Sequence, residues 1–335
     1  MKASRICFVA PNQLELQDFD FEAANLGPRE IALRTVASLI SPGTELACLS
    51  GIEGWARMPF VPGYAACGEV IAAGPNAGVA PGNTVFAYTA HASHARTDRL
   101  WAPLPAGLDP TLAVFARMAA VAITSLRVSA AELGDTVAVT GLGLVGNFAA
   151  QLFGLAGCEV IGIDPSPRRR ALARECGVAH AIDAADSAQA VADLTGGRMC
   201  ACVVEASGAP AVAESAVKLA GKLGEMILVG SPRGEHQTNL TPFLNAVHLW
   251  GNCVTLKGAH EWRYPVAPDP QGQAKHSIGR NVEILLRLIA DGRLKVQPLL
   301  THVVSPYAAA AEAYAGLREK KDEYLGVVFD WTAGC

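Results

Sequence analysis

Charge is scarce in this chain and nearly balanced: 17% of the 335 residues are charged, and the formal net charge is −4. With so few charges and a slightly acidic balance, nothing resembles an electrostatic footprint for nucleic acid or an anionic bilayer, so neither is expected as a partner. No apolar run approaches the roughly 20 residues that cross a bilayer, so no membrane span is expected. Met1-Lys2-Ala3-Ser4-Arg5-Ile6 moves straight into a strand-like segment without a secretory pattern, which points to a cytoplasmic protein. The nine cysteines include no C-x-x-C pair. Scattered beside apolar residues, they read as reduced, buried thiols, with Cys335 at the end of the chain the one expected to be exposed.

What is present changes character along the chain. Over the first hundred residues, short apolar or alternating runs (Ile31 to Ala37, Gly68 to Ala73, Thr84 to Tyr88) are cut by turns at Ser41-Pro42-Gly43, Val61-Pro62-Gly63 and Ala80-Pro81-Gly82. That punctuation predicts a small β-barrel. From about residue 112, Ala-rich helical segments alternate with Val/Ile-rich strands at Thr136–Thr140, Glu159–Ile163, Ala181–Ile182, Cys202–Glu205, Glu225–Val229 and Val254–Lys257. Alternating β and α predicts a doubly wound parallel sheet. After a proline-rich stretch from His260 to Pro270 come a helix near Arg280–Ala290, a strand at Leu299–Val304, a helix at Pro306–Glu319 and a last strand ending at Phe329. That strand has no partner nearby in sequence, so the chain is expected to return to the first domain. The expected fold is therefore α/β, a β-barrel domain (1–120, completed by 265–335) with an inserted nucleotide-binding domain (121–264).

The most informative segment is Thr136-Val137-Ala138-Val139-Thr140-Gly141-Leu142-Gly143-Leu144-Val145-Gly146, followed by Val160-Ile161-Gly162-Ile163-Asp164. Gly141 suits the tight turn from strand to helix, Gly143 lets backbone approach a pyrophosphate, and Gly146 permits close helix–strand packing. Leu144 and Val145 open the helix whose unpaired N–H groups face the phosphates. Asp164, ending the second strand, is placed to accept from ribose hydroxyls and to repel a 2′-phosphate, which favours NAD over NADP. Arg168, Arg169 and Arg170 read either as a solvated first helical turn after Pro167 or as cations able to neutralise that phosphate. Ser207, Val229, Gly230 and Ser231 sit after the fourth and fifth strands, where open parallel sheets border their ligand crevice.

Together, Ser41-Pro42-Gly43-Thr44-Glu45, the run from Val61 to Val70 and the glycine turn at 141–146 resemble the medium-chain dehydrogenase/reductase superfamily over essentially the whole chain. The resemblance implies a GroES-like β-barrel with an inserted Rossmann domain, and a homodimer or homotetramer joined through Rossmann sheet edges. Gly-Thr-Glu and Pro-Gly-Tyr are similar to the bacteriochlorophyllide hydroxyethyl dehydrogenase branch. In zinc members of the superfamily three residues coordinate a catalytic metal; the matching positions here are Pro42, Tyr64 and Ala120. Proline and alanine cannot bind zinc, and tyrosine is an uncommon ligand. No cysteine lies between Cys67 and Cys158, so the four-cysteine lobe of many zinc members is missing too. The expectation is an enzyme with neither catalytic nor structural zinc. Arg169 falls where the family often places a basic residue on the adenosine ribose.

Hydride transfer to or from an alcohol carbon needs a group that handles the hydroxyl proton. Tyr64, at the lost histidine's position, is one candidate, and Thr44, which matches the family's proton-relaying threonine, is another. Their alternatives are a core aromatic and a turn-stabilising hydroxyl. His91 and His94, three apart after a strand, read as substrate-contacting imidazoles or as packed histidines. Glu45 is expected to orient His91, His94 or Tyr64, or to pair with an arginine. His260, Trp262, Arg263 and Tyr264 read equally as a pocket loop or an interface loop. The function these residues point to is NAD-dependent, zinc-independent interconversion of a secondary alcohol and a ketone, with a small molecule as substrate. The alternatives are a quinone or enone double-bond reductase and a non-catalytic nucleotide-binding protein.

Overall fold

Residues 1–333 are described in the computed structural model, and they divide into two units: Met1–Arg117 with Val266–Gly292 and the chain from Leu299 onward, and Met118–Pro265 with Arg293–Pro298. Cys335 lies outside the described residues.

In the first unit, proline and glycine turns separate β1 (Lys2–Ala10), β2 (Gln13–Asp20), β3 (Ile31–Leu39), β4 (Ala66–Ala73), β5 (Thr84–Ala87), β6 (His94–Thr97) and β7 (Trp101–Pro103). Helix α1 (Pro42–Leu49) follows β3, and α2 (Pro110–Ala113) follows β7. Here the expectation of a turn at Ser41-Pro42-Gly43 is corrected: proline occupies the first helical turn, where its missing N–H costs nothing. Thr44 and Glu45 therefore ride on a helix.

The next helix, α3 (Ala116–Val128), leads into the second unit, built from β8 (Thr136–Thr140), α4 (Leu144–Leu155), β9 (Glu159–Ile163), α5 (Pro167–Glu175), β10 (His180–Ile182), α6 (Ser187–Thr195), β11 (Cys200–Glu205), α7 (Pro210–Ala216), β12 (Ala220–Leu228), α8 (Thr241–His248) and β13 (Thr255–Gly258). Sequence patterning passes over α8, none of whose residues is buried. The chain then adds α9 (Ile278–Ala290), β14 (Leu300–Val304), α10 (Pro306–Glu319) and β15 (Gly326–Asp330) to the first unit.

Six parallel strands make the second unit's sheet, in the order β10-β9-β8-β11-β12-β13. This is the doubly wound order, whose direction reverses between β8 and β11 and leaves a ligand crevice beyond the carboxyl ends of those strands. The first unit holds the β1–β2 hairpin and a sheet ordered β14-β15-β3-β4-β5-β7, with β6 also on β3. The last strand finds its partners there, antiparallel to β3 and parallel to β14. Ile6, Phe8, Tyr314, Phe329 and Trp331 form one buried cluster, so the two ends of the chain share a core.

The helical stretch Pro110–Val128 is 19 residues long and apolar enough to cross a membrane by length and composition, but 67% of its window is buried inside the protein, as in a core helix. Cys200 and Cys202 both point into the core of β11. Among the described residues Cys253, in a loop at φ +51°, is the exposed thiol, which corrects the expectation that it is buried.

Candidate active site

In the second unit the glycine turn divides its work among three residues. Gly141 sits at φ +86°, a conformation that disfavours side chains, and a Cβ there would come within 2.8 Å of the Ser207 nitrogen. A Cβ on Gly146 would lie 1.7 Å from the Gly141 carbonyl oxygen, so that helix–strand contact requires glycine. Around Gly143 a Cβ would meet nothing within 4 Å. That residue caps α4 with no side chain to bond its first N–H groups, so Leu144 and Val145 begin a helix with an open, positively polarised end. The cradle fits a dinucleotide pyrophosphate.

Asp164 is 2% exposed and holds the turn together: one oxygen accepts from the Leu142 N–H at 2.7 Å, the other from the Ser166 N–H at 2.8 Å. Arg169 stands 3.8 Å from the same carboxylate. Arg170 donates to the Asp164 and Pro165 carbonyls and pairs with Asp183 at 2.8 Å, so it braces the turn. At the end of β11, burial raises the Glu205 carboxyl's proton affinity, while hydrogen bonds from Ser207 and the Gly208 N–H oppose that shift. Gly208 and Gly230 pack backbone to backbone, since a Cβ on Gly230 would lie 2.4 Å from the Gly208 nitrogen. Val229 and Ser231 flank that contact.

The first unit contains a polar network assembled from five parts of the chain. Glu45 is 2% exposed, and its carboxylate accepts the Ser41 N–H at 2.7 Å, the Tyr314 hydroxyl at 2.5 Å and His91 Nε2–H at 3.0 Å. His91 is fully buried; its Nδ1 lies 2.8 Å from Ser38 Oγ, which also accepts Trp331 Nε1–H at 2.8 Å. Because Ser38 already accepts from tryptophan, its hydroxyl proton goes to Nδ1, and the imidazole is assigned the tautomer that donates to Glu45. The Tyr64 hydroxyl bonds Ser41 Oγ, one residue from that carboxylate. Burial raises the Tyr64 phenol above its ordinary value; the Arg117 charge opposes this, Glu45 adds to it, and hydrogen bonds with Ser41 and Thr44 lower it.

The two histidines do not share a face. His91 lies beneath Gly63 and against Phe329, sealed from solvent, and its link toward Tyr64 runs through Glu45 and Ser41. His94, on β6, packs against Phe21 at 5.2 Å and contacts Ser93 Oγ at 3.1 Å, with burial lowering its proton affinity. Sequence reasoning brought Tyr64, Thr44, Glu45 and His91 to notice, but missed Ser38, Ser41, Tyr314, Trp331, Tyr88 and Arg117. Arg117 had a visible signal, an arginine in the otherwise apolar run Val114–Ala122. Tyr314 and Trp331 had none, because only folding carries them to Glu45 and Ser38.

Residues 145–266 match the model of the zinc-binding dehydrogenase family. Over 99% of both chains the sequence is 28% identical to 2-desacetyl-2-hydroxyethyl bacteriochlorophyllide A dehydrogenase of Cereibacter sphaeroides. Among solved structures, galactitol-1-phosphate dehydrogenase from Escherichia coli superposes with a TM-score of 0.82 at 18% identity, covering 98% of this chain and 99% of that one. A second structure, described as a short chain alcohol dehydrogenase of Escherichia coli CFT073 complexed with NADH, superposes with a TM-score of 0.80 at 17% identity over 98% of this chain and 99% of its own. The chain has the fold of the zinc-type alcohol dehydrogenase superfamily.

The zinc of that superfamily can be tested against the donors present. Pro42 lies in the first turn of α1 and Ala120 within α3; neither side chain has a donor atom. Tyr64 is already hydrogen-bonded to Ser41, and the Arg117 guanidinium lies 4.6 Å from its ring centroid. A fixed cation at that distance repels a dication. No group of three His, Cys, Asp or Glu side chains able to hold a metal occurs among the described residues. The side chains at these positions do not fit a zinc ion.

Proposed function

We propose that this chain is an NAD-dependent oxidoreductase that interconverts a ketone and a secondary alcohol without a metal, with Tyr64 as the acid–base group. The observation that carries the reading is the Tyr64 phenol, hydrogen-bonded to Ser41 and Thr44 and backed by the Glu45 network. The nicotinamide, when bound, supplies or accepts the hydride. In the reducing direction the substrate's carbonyl oxygen accepts a hydrogen bond from Tyr64 and takes its proton as the oxygen becomes a hydroxyl. Ser41 and Thr44 then hold the phenolate until it is reprotonated. Burial raises the phenol's proton affinity, so at neutral pH it carries the proton that the reducing direction needs. On the cofactor side, the buried carboxylate of Asp164 supports NAD over NADP, because a 2′-phosphate beside it meets a like charge.

The partner that best suits the second unit is another copy of this chain. Strand β13 ends the sheet with Leu256 exposed, and Leu249 and Trp250 are exposed just before it. An apolar sheet edge of this kind pairs readily with its own copy.

The decisive test is a titration with NADH and NADPH, followed by nicotinamide fluorescence, on protein also assayed for zinc, then turnover of ketones by the wild type and Tyr64→Phe. Tight NADH binding without zinc, and a fall in kcat of about 10²- to 10⁴-fold in the variant, are expected. Unchanged turnover by Tyr64→Phe rejects the acid–base role. Stoichiometric zinc rejects metal independence, and a preference for NADPH favours the double-bond reductase.

A further inference from the structure

The first unit buries a positive charge that the sequence reading left unused. Arg117, at the start of α3, is 6% exposed in a run of Phe, Ala, Met and Val. Its guanidinium carbon lies 4.6 Å from the centroid of the Tyr64 ring and 4.5 Å from that of Tyr88, so the cation is clamped between two aromatic faces. Stacking of this kind suits guanidinium, whose plane is weakly hydrated and matches the ring, and suits an ammonium less well. The clamp also fixes where the charge sits. It is held against the ring whose oxygen bonds Ser41.

We propose that Arg117 is a positioning residue for Tyr64, supplying the fixed positive charge that holds the phenolate formed when the Tyr64 proton passes to substrate oxygen. This rests on the reading of Tyr64 as the acid–base group and deepens it. The bookkeeping is simple: the proton leaves the phenol oxygen, the negative charge stays on that oxygen and spreads into the ring, and the guanidinium over the ring face attracts it. No covalent bond to Arg117 forms or breaks. The other groups that face the phenol are the hydroxyls of Ser41 and Thr44, which also favour the phenolate, and the Glu45 carboxylate, which opposes it. Arg117 is the largest influence in the phenolate's favour and burial the largest against it.

The test reads the phenol itself and needs no substrate. Tyrosinate absorbance is recorded against pH for the wild type and for Tyr64→Phe, and the difference isolates residue 64; the same pair is measured with Arg117→Met and with Arg117→Gln. Removing an opposite charge at this distance raises the midpoint by about one pH unit, so Arg117→Met is expected to show about tenfold less Tyr64 phenolate at a given alkaline pH. Arg117→Gln, which keeps a planar group against the ring and loses the charge, is expected to raise the midpoint as far as Arg117→Met does. An unchanged midpoint in Arg117→Met overturns the proposal, and so does an unshifted midpoint in Arg117→Gln, because the stack and not the charge would then be responsible. If Arg117→Met does not fold, Tyr88→Leu loosens the clamp while keeping the charge, and a smaller rise is expected; no rise overturns the proposal. Failure of the acid–base reading looks different: Tyr64→Phe then keeps its turnover while the midpoint still follows the charge at residue 117.

Discussion

The glycine turn of the second unit and the Glu45 network of the first are built from opposite materials. The turn is backbone: residues 141–146 shape it, and the side chain that matters, Asp164, comes from the adjacent strand and bonds two N–H groups. The network is almost all side chain, drawing Ser38, Glu45, His91, Tyr314 and Trp331 from positions up to 293 residues apart. A backbone cradle tolerates change in most of its side chains but not in its glycines. A buried side-chain network tolerates little at any member, because each polar atom removed leaves a partner in a medium that cannot hydrogen-bond it.

This contrast is sharpest at Glu45. Glu45→Gln keeps the shape, but its NH2 must face either the His91 Nε2–H and Tyr314 hydroxyl or the Ser41 N–H, all of which already donate. Removing one partner from a buried charged network costs about 3 kcal/mol, which urea unfolding is expected to register as a lowered midpoint with unchanged slope. Equal stability of the variant would mean the network is not closed as drawn.

The turn gives the next largest effect and divides it between two glycines. In Gly146→Ala the new Cβ runs into the Gly141 carbonyl, so a loss of about 1 to 3 kcal/mol is expected together with loss of NADH binding. Gly143→Ala has open space for its Cβ, so the fold should keep its melting temperature while NADH affinity falls about tenfold, as the methyl group stands where phosphate must approach. Calorimetry and fluorescence titration on both variants separate the two roles; matching losses in stability would erase the distinction.

A solvent-facing pair in the first unit sets the lower end of the scale. Glu30 accepts two bonds from Arg96, at 2.8 and 2.6 Å, and one from the Gly27 N–H at 2.9 Å. These hold its carboxyl down from about 4.5 to about 2, the Arg96 hydrogen bonds foremost. A depressed carboxyl contributes stability that is present above the unfolded value and lost as pH falls through the folded one, so the window is pH 4.5 down to 2. Partial exposure limits the contribution to about 1 kcal/mol. Glu30→Gln should lack this part of the acid dependence in melts run across that window, and an identical profile would show that the pair contributes nothing.

How much could be read in advance follows the same division. The six parallel strands and the glycine turn were legible because each strand's apolar run and each glycine's role is set within a dozen residues. Helix α1 was misread because Ser-Pro-Gly marks both a turn and a helix start, and the choice depends on Glu45 reaching back to the Ser41 N–H in a buried setting. His91 and His94 looked equivalent, yet one enters the sealed network and the other packs beside Phe21. Their spacing carries no information about which side of the chain faces the core.

By itself, then, the sequence determined what short-range sterics and periodicity control: the six parallel strands, the glycine turn between β8 and α4, and the absence of donor side chains at Pro42 and Ala120. Tertiary structure alone decided which polar groups meet. Tyr314 on α10 and Trp331 after β15 reach Glu45 and Ser38 because the last strand pairs with β3, and Arg117 becomes a clamped charge because Tyr64 and Tyr88 fold onto its two faces. A hydrogen bond or a stacked cation depends on separations of a few ångströms, and residues far apart along the chain are brought that close only by packing the core.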